Sequence, residues 1–346
     1  MPGDLMPKPL RDERVTMAHG GGGKAMRDLI ESVFVPAFRP DAMEDQARLV
    51  SAALTEPGAR LAFTTDSFVV DPVEFPGGDI GKIAVCGTVN DLAVGGAVPL
   101  WLSAAFIIEE GTEIALLRRV VASMAAEAAR AGVRIVTGDT KVVEKGSADK
   151  IFVTTSGIGA IPPGRDLAAA HIRPGDVAIV NGPLGDHGAA ILAARGEMAL
   201  SADLVSDCRE LGSLMAAVLA VAEVRAARDA TRGGLASALT EMAEAAGCGV
   251  EIEEDRLPLR AEVRGMCEIL GLDPLYLANE GTLVLFVPGD QAGAALAAMR
   301  ATEAGRDATA IGRATDGRAG RVTLRTAFGG QRIVDMLVGE QLPRIC

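Results

Sequence analysis

The chain ends in Pro343-Arg344-Ile345-Cys346, so its last residue carries a thiol. A thiol at the end of a tail can be loaded by one protein and presented to another, and its thiolate is the reactive form. Residues 337–342 supply an arm for such travel. On the tail alone, a terminal cysteine without a role is the favoured reading. Four aspartates stand beside turn or strand-end signals: Thr65-Asp66-Ser67, Asn90-Asp91-Leu92, Gly138-Asp139-Thr140 and Asp229-Ala230-Thr231-Arg232-Gly233-Gly234. Oxygen ligands at several such corners are what Mg²⁺–phosphate binding requires. Asp66 lies in an apolar strand pattern, where a lone carboxylate is expensive unless paired or metal-bound. An Asx turn or a helix N-cap accounts for each aspartate taken singly.

Two further side chains are candidates for proton and charge chemistry. Lys141 follows Gly138-Asp139-Thr140, and a lysine there can neutralise developing charge. Glu280, in Leu277-Ala278-Asn279-Glu280-Gly281, precedes an apolar strand, and a partly buried glutamate can serve as general base. A surface lysine and a turn glutamate fit the same spacing. His19-Gly20-Gly21-Gly22-Gly23-Lys24 offers backbone N–H groups to phosphates, but Ala25 follows the lysine and no strand precedes the run, so it is not a Walker loop. A linker is an equal reading. His171 and His187 read as structural or surface residues, and the three histidines have no metal-ligand spacing.

These residues need a scaffold. A strand pattern around Asp66 covers 61–65 and 68–70. Helical spacing covers 24–34, 80–94 and 113–131, and strands are predicted at 101–108, 133–137 and 151–156. Pro162-Pro163-Gly164 and Arg173-Pro174-Gly175-Asp176 mark a boundary. Beyond it a strand at 177–180 is followed by helices near 187–196, 207–226, 233–246, 261–270 and 290–302. Strands fall near 249–253, 282–287, 308–313 and 321–325. The class is α/β or α+β, in two domains, as 346 residues suggest.

Composition narrows the function classes. The net charge of −12, one Trp and one Tyr argue against a nucleic-acid binder, while leaving a Mg²⁺-bridged nucleotide open. No apolar run approaches 18 residues, and no secretory leader is evident. Five cysteines without C-x-x-C spacing fit a reducing, cytoplasmic setting.

In order along nearly the whole chain, His19–Lys24, Thr64-Thr65-Asp66-Ser67, Val89-Asn90-Asp91-Leu92, Thr137 to Val143, Asp229 to Gly234, Asn279-Glu280-Gly281 and the Pro-Arg-Ile-Cys ending resemble the HypE hydrogenase-maturation family. The aspartate motifs are shared with aminoimidazole ribonucleotide synthetase, selenophosphate synthetase and thiamine-phosphate kinase; the ending is the specific part. The resemblance implies a PurM-like fold of two α/β domains, with the N-terminal sheets pairing across a homodimer. The expected divisions are a leader with first helix over 1–40, an ATP-binding and dimerisation domain over 41–163, a second domain over 164–330 and a mobile tail over 331–346.

It also implies a reaction. HypF would place a carbamoyl group on Cys346. ATP would drive its dehydration to a thiocyanate, and the cyanide would pass to iron on a HypC–HypD complex. By motif match Asp66, Asp91, Asp139 and Asp229 would hold Mg²⁺ and ATP, with Asn90, Gly138, Gly22 and Lys24 also on the nucleotide. Lys141 would face the amide oxygen, Glu280 would take the nitrogen proton, and Arg344 would offset the terminal carboxylate beside the thiol. A small-molecule synthetase or kinase of the same superfamily, or a non-catalytic thiol carrier, are the competing functions.

Overall fold

The computed structural model describes residues 10–44, 46–196, 204–336 and 344–346. In the first domain β1 (Arg60–Phe68), β2 (Val98–Glu109), β3 (Arg134–Val143) and β4 (Ile151–Ile161) form one sheet in the order β1-β4-β2-β3. All neighbours are antiparallel except β2 and β3, which the helix between them makes parallel. A continuous helical run, α1, comprises Lys24–Leu29, a wide turn at Ile30–Phe34 and Val35–Phe38. Helices α2 (Ile80–Val94) and α3 (Ile114–Arg130) cover one face of the sheet.

The sequence explains those two helices differently. In α3, Leu117, Val120, Val121 and Met124 recur on one face and are buried against the domain core. In α2 small and apolar residues surround the whole helix, which fits its near-complete burial. Asp79 caps it by accepting from the Lys82 backbone N–H at 2.9 Å. Each fully buried Leu, Ile or Val contributes about 1.5–3 kcal/mol. The last turn of α2, at Ala93 and Val94, leaves this core and packs into that of the second domain. Helix α2 therefore holds the two domains together.

The second domain has a seven-stranded sheet of β5 (Val177–Val180), β6 (Ala226–Asp229), β7 (Gly249–Glu253), β8 (Leu283–Val287), β9 (Thr309–Thr315), β10 (Val322–Arg325) and β11 (Gln331–Val334). Their order is β11-β10-β7-β9-β5-β8-β6. Helix α4 (Asp186–Ala194) follows β5. Helix α5 (Gly212–Leu219) packs through Leu214, Met215 and Val218 on one side of the sheet, together with Ala295 and Met299. Helix α6 (Gly234–Ala246) packs through Leu235, Leu239 and Met242 on the other.

Four expectations are corrected. Strand β1 stops at Phe68, because the backbone of Val69 pairs with the chain terminus instead. The helix expected over 207–226 is confined to Gly212–Leu219, and residues 226–229 are the edge strand that carries Asp229. Gln331–Val334 pairs with β10, so these residues belong to the sheet and not to the tail expected from 331. Asp139 lies inside β3, paired with Ala105, and not at a strand end. The arm expected at 337–342 and Pro343 lie outside the described residues.

One face of the first sheet is left uncovered by the described residues. Leu61 and Phe63 on β1 are 62% and 67% exposed, and Val98 and Ile107 on β2 are 47% and 42% exposed. Asp139 and Lys141 rise from the same face.

Candidate active site

The last three residues are docked into the protein. The backbone N–H groups of Val69 and Asp71 donate to Cys346 O and Arg344 O, both at 3.2 Å. Arg195 donates to Arg344 O at 2.7 Å and to Asp71 O at 2.8 Å, and His187 Nε2 lies 2.7 Å from Ile345 O. Arg344 places one guanidinium nitrogen 3.0 Å from each carboxylate oxygen of Asp149. It is engaged there, and the expected role beside the terminal carboxylate falls instead to the Val69 N–H.

Cys346 is 8% exposed. Burial, and next the Glu280 carboxyl, push its thiol up to about 12, and Arg232 opposes them. Arg232 Nη2 lies 4.0 Å from Sγ. In this position the thiol is protonated and inert as a nucleophile.

A cluster of carboxyl groups reaches it through Glu280 and Asp66. Asp66 points to the covered face of the first sheet, accepts from the Ser67 N–H at 2.8 Å and is raised by burial. Thr64 Oγ1 donates to Asp91 at 2.8 Å, and Asp91 is raised by burial and also by Asp66. Asp229 is raised to about 7, by burial first and then by Asp91. Glu280 is 3% exposed, its Oε1 has no hydrogen-bond partner among the described residues, and burial with Asp207, Asp229 and Asp66 holds it well above the usual carboxylate range. Such mutual repulsion is relieved by a cation. Among the described residues no three acidic, His or Cys side chains close into a metal-ligating group. The cluster therefore suits Mg²⁺ held partly through phosphates and water, the usual arrangement for that ion. A groove of about 730 Å³ between the domains leads to it, with Thr64, Asp91 and Asp229 on its wall beside Leu61 and Phe63.

The Glu280 loop is fixed by a residue that the sequence reading missed. Asp207 accepts from the N–H of Glu280 at 3.0 Å, and from the Gly281 N–H and Thr282 Oγ1 at 2.9 Å. Asp207 was hidden within an Ala- and Leu-rich stretch that read as helix. Arg232 was also missed as a functional side chain, although it stands in the motif that carries Asp229.

The other expected residues divide into two groups. Asn90 is 2% exposed. Its amide donates to Arg209 O at 3.0 Å and accepts from the Leu211 N–H at 2.8 Å, so it ties α2 to the 207–211 segment and is not open to a nucleotide. Gly138 is required by strand packing, since a Cβ there would lie 2.1 Å from Ala104 O.

Asp139, Lys141, Gly22 and Lys24 form a separate exposed group. Register runs Asp66–Thr155–Ala104–Gly138 across the sheet, so Asp139 is three strands from Asp66 and on the opposite face. Interstrand spacing puts that separation at about 14 Å. Lys141 is paired with Asp139 at 3.0 Å, and this pairing holds the Asp139 carboxyl low. Gly20 packs on Val142, where a Cβ would lie 2.8 Å from its backbone N, so the glycine run sits at this end of β3. Gly22, with φ +74°, and Lys24 are exposed there. One chain thus carries the expected site residues in two separate groups.

Residues 44–161 match the family "AIR synthase related protein, N-terminal domain", and residues 173–325 match its C-terminal domain. The chain is 75% identical over 338 residues to the carbamoyl dehydratase HypE of Rhodobacter capsulatus, covering 97% of this chain and 99% of that one. It is 49% identical to the carbamoyl dehydratase HypE of Escherichia coli (strain K12), over 96% of this chain and 99% of that one. Among solved structures, hydrogenase maturation protein HypE in complex with ATP superposes with a TM-score of 0.90 at 44% identity, covering 96% of this chain and 99% of that one. A HypE–HypF complex aligns with a TM-score of 0.78 at 46% identity, over 89% and 99% of the two chains.

Proposed function

Because the chain belongs to the HypE carbamoyl dehydratases, a family of the AIR synthase related proteins, we propose that it performs the reaction on its own Cys346. It is an ATP-dependent carbamoyl dehydratase of hydrogenase maturation with a PurM-like fold. The observation that carries the Cys346 assignment is its buried docking 4.0 Å from Arg232 and within electrostatic reach of Glu280 and Asp66.

The substrate is a carbamoyl group on the Cys346 sulfur, S–C(=O)–NH₂. The amide oxygen takes the γ-phosphoryl group of ATP and thereby becomes a leaving group. The nitrogen loses two protons as the C≡N bond forms, and phosphate departs. The products are an S-bound cyano group, ADP and phosphate. Mg²⁺, when bound by phosphates together with Asp66, Asp91 and Asp229, would neutralise charge on the transferred group. Glu280 takes a nitrogen proton. It is neutral in the state described, so it acts once cationic charge has lowered its pKa. Arg232, 4.0 Å from the sulfur, stabilises charge on the oxygen together with the Lys141 that a second copy brings. The groove volume is in the range of small-molecule sites and accommodates the nucleotide.

Lys141, Asp139, Gly22 and Lys24 enter through a second copy. The exposed face bearing Leu61, Phe63, Val98 and Ile107 is too apolar to remain in water, and among the described residues β1 and β3 are the free edges of the sheet. Two such sheets, paired about a two-fold axis, bring β3 of one copy beside β1 of the other and complete each site from both chains. A buried thiol cannot be loaded in place. Cys346 therefore leaves to receive its carbamoyl group from HypF, returns for dehydration, and leaves again to deliver cyanide to a HypC–HypD complex. These exchanges belong to the cytoplasm; among the described residues no helix is long and apolar enough to cross a membrane.

The test is Cys346→Ser with the carbamoyl donor and ATP supplied. Carbamoyl-dependent ATP consumption is lost on this account. Full turnover by the variant refutes it and favours a small-molecule substrate.

A further inference from the structure

Docking buries the backbone of Ile345, and one side chain meets it from below. His187, the second residue of α4, is fully buried. Its Nε2 lies 2.7 Å from Ile345 O and its Nδ1 lies 2.8 Å from Ser206 Oγ. A carbonyl oxygen only accepts, so Nε2 carries the proton and Nδ1 is bare. Ser206 must then donate to Nδ1, which leaves its oxygen free to accept from the Cys208 N–H at 3.1 Å. The chain from Cys208 N–H through Ser206 and His187 to Ile345 O therefore has one possible direction. Burial depresses the His187 pKa and favours that neutral tautomer. Phe75 packs edge-on against the ring at a centroid distance of 5.4 Å.

The anchorage of α4 links this chain to the chemistry. The Gly185 N–H, at the start of the helix, donates to Asn279 Oδ1 at 2.7 Å, and Asn279 adjoins Glu280. The same histidine backbone region is thus tied to the loop that carries the base, while its ring holds the residue before the thiol.

We propose that His187 is the positioning residue that clamps the docked tail, holding the Cys346 sulfur at Glu280 through the Ile345 carbonyl and setting the balance between docked and released tail. Among the described residues Arg195 and the Val69 and Asp71 N–H groups also hold the tail backbone, while the Arg344–Asp149 ion pair is half-exposed and contributes little. When the tail withdraws, the His187 Nε2–H loses its acceptor in a buried site, a cost that favours return. The clamp adds the docking device to the dehydratase reading and rests on it only for its catalytic consequence.

The experiment uses the full chain and follows the rate of iodoacetamide modification of Cys346 by peptide mass spectrometry. His187→Ala should accelerate it by about ten- to a hundred-fold, the worth of a buried hydrogen bond whose loss leaves its partner unsatisfied. His187→Gln places an amide N–H near the position of Nε2 and should restore a rate near that of the parent. Ser206→Ala, a smaller change, should accelerate modification in the same direction and serves if His187→Ala does not fold. In single-turnover dehydration of the carbamoylated protein, His187→Ala should lower the rate with the ATP concentration dependence unchanged, and His187→Gln should recover it. Unchanged Cys346 modification in folded His187→Ala or Ser206→Ala overturns the clamp, as does failure of His187→Gln to rescue a folded protein. Accelerated modification alongside a parent protein that does not dehydrate supports the clamp and overturns the dehydratase assignment instead.

Discussion

Replacing Glu280 by Gln separates its chemistry from its place in the fold. Glu280 is 3% exposed, and one of its carboxyl oxygens has no partner among the described residues. Burial, with Asp207, Asp229 and Asp66 nearby, keeps it neutral far above the usual range. Gln has the same shape and no charge to desolvate, so the folded protein should tolerate it. The pH dependence gives the sign. A carboxyl raised in the folded state contributes stability that is present at low pH and lost as pH rises through the folded value. Gln has no such loss, so the Tm of the variant should exceed that of the parent by a margin that widens from acid to alkaline pH. Catalysis should move the other way. Removal of a general base costs about 10²–10⁴ in rate, equivalent to about 2.7–5.4 kcal/mol of barrier at ~1.36 kcal/mol per tenfold. The assay is single-turnover dehydration of carbamoylated Cys346 with saturating ATP, beside thermal melts across pH. Dehydration within about threefold of the parent, far short of a general base's contribution, refutes the base assignment. Melts that stay parallel across pH refute the buried-acid argument.

Other consequences follow from the carboxylate cluster and the bare sheet face. Asp229 at about 7 means that protons compete with Mg²⁺–ATP below neutrality, so calorimetric affinity should fall as pH drops below about 7. Asp229→Asn should weaken binding by at least about tenfold, as loss of a charged partner to the metal implies; a flat pH profile with unimpaired Asp229→Asn contradicts the cluster. Leu61→Asp with Phe63→Asp should yield monomers by sedimentation, without dehydratase activity. Mixed dimers of inactive Asp66→Asn and Lys141→Met copies should regain activity, because one of their two sites is intact; no regain contradicts completion of the site across copies.

Much of the scaffold was legible because its signals were local. The stripe of Leu117, Val120, Val121 and Met124 identifies α3, and the apolar flanks of Asp66 identify its strand. Asp66, Asp91, Asp229, Glu280 and Cys346 do converge electrostatically. The failures have physical causes. Residues 207–226 are rich in Ala, Leu and Val, which satisfy a helix or a buried strand alike, so β6 and the extended segment with Asp207 were not separable by periodicity. A strand sends alternate residues to opposite faces, and motif order cannot say which face is covered. Asp139 and Lys141 thus looked like neighbours of Asp66 while pointing away from it. Asn90 sits beside a metal-type aspartate, yet its amide is saturated by backbone groups 119 and 121 positions away. The Arg232 contact with Cys346 joins segments 114 residues apart and has no local signature.

The most direct measurement is the mass of the Cys346 peptide from carbamoylated protein before and after ATP. Loss of one water, with one ATP consumed per modified chain, is the result this account requires. An unchanged carbamoyl mass while ATP is hydrolysed, or the same mass loss in the Glu280→Gln protein at the parent rate, contradicts it.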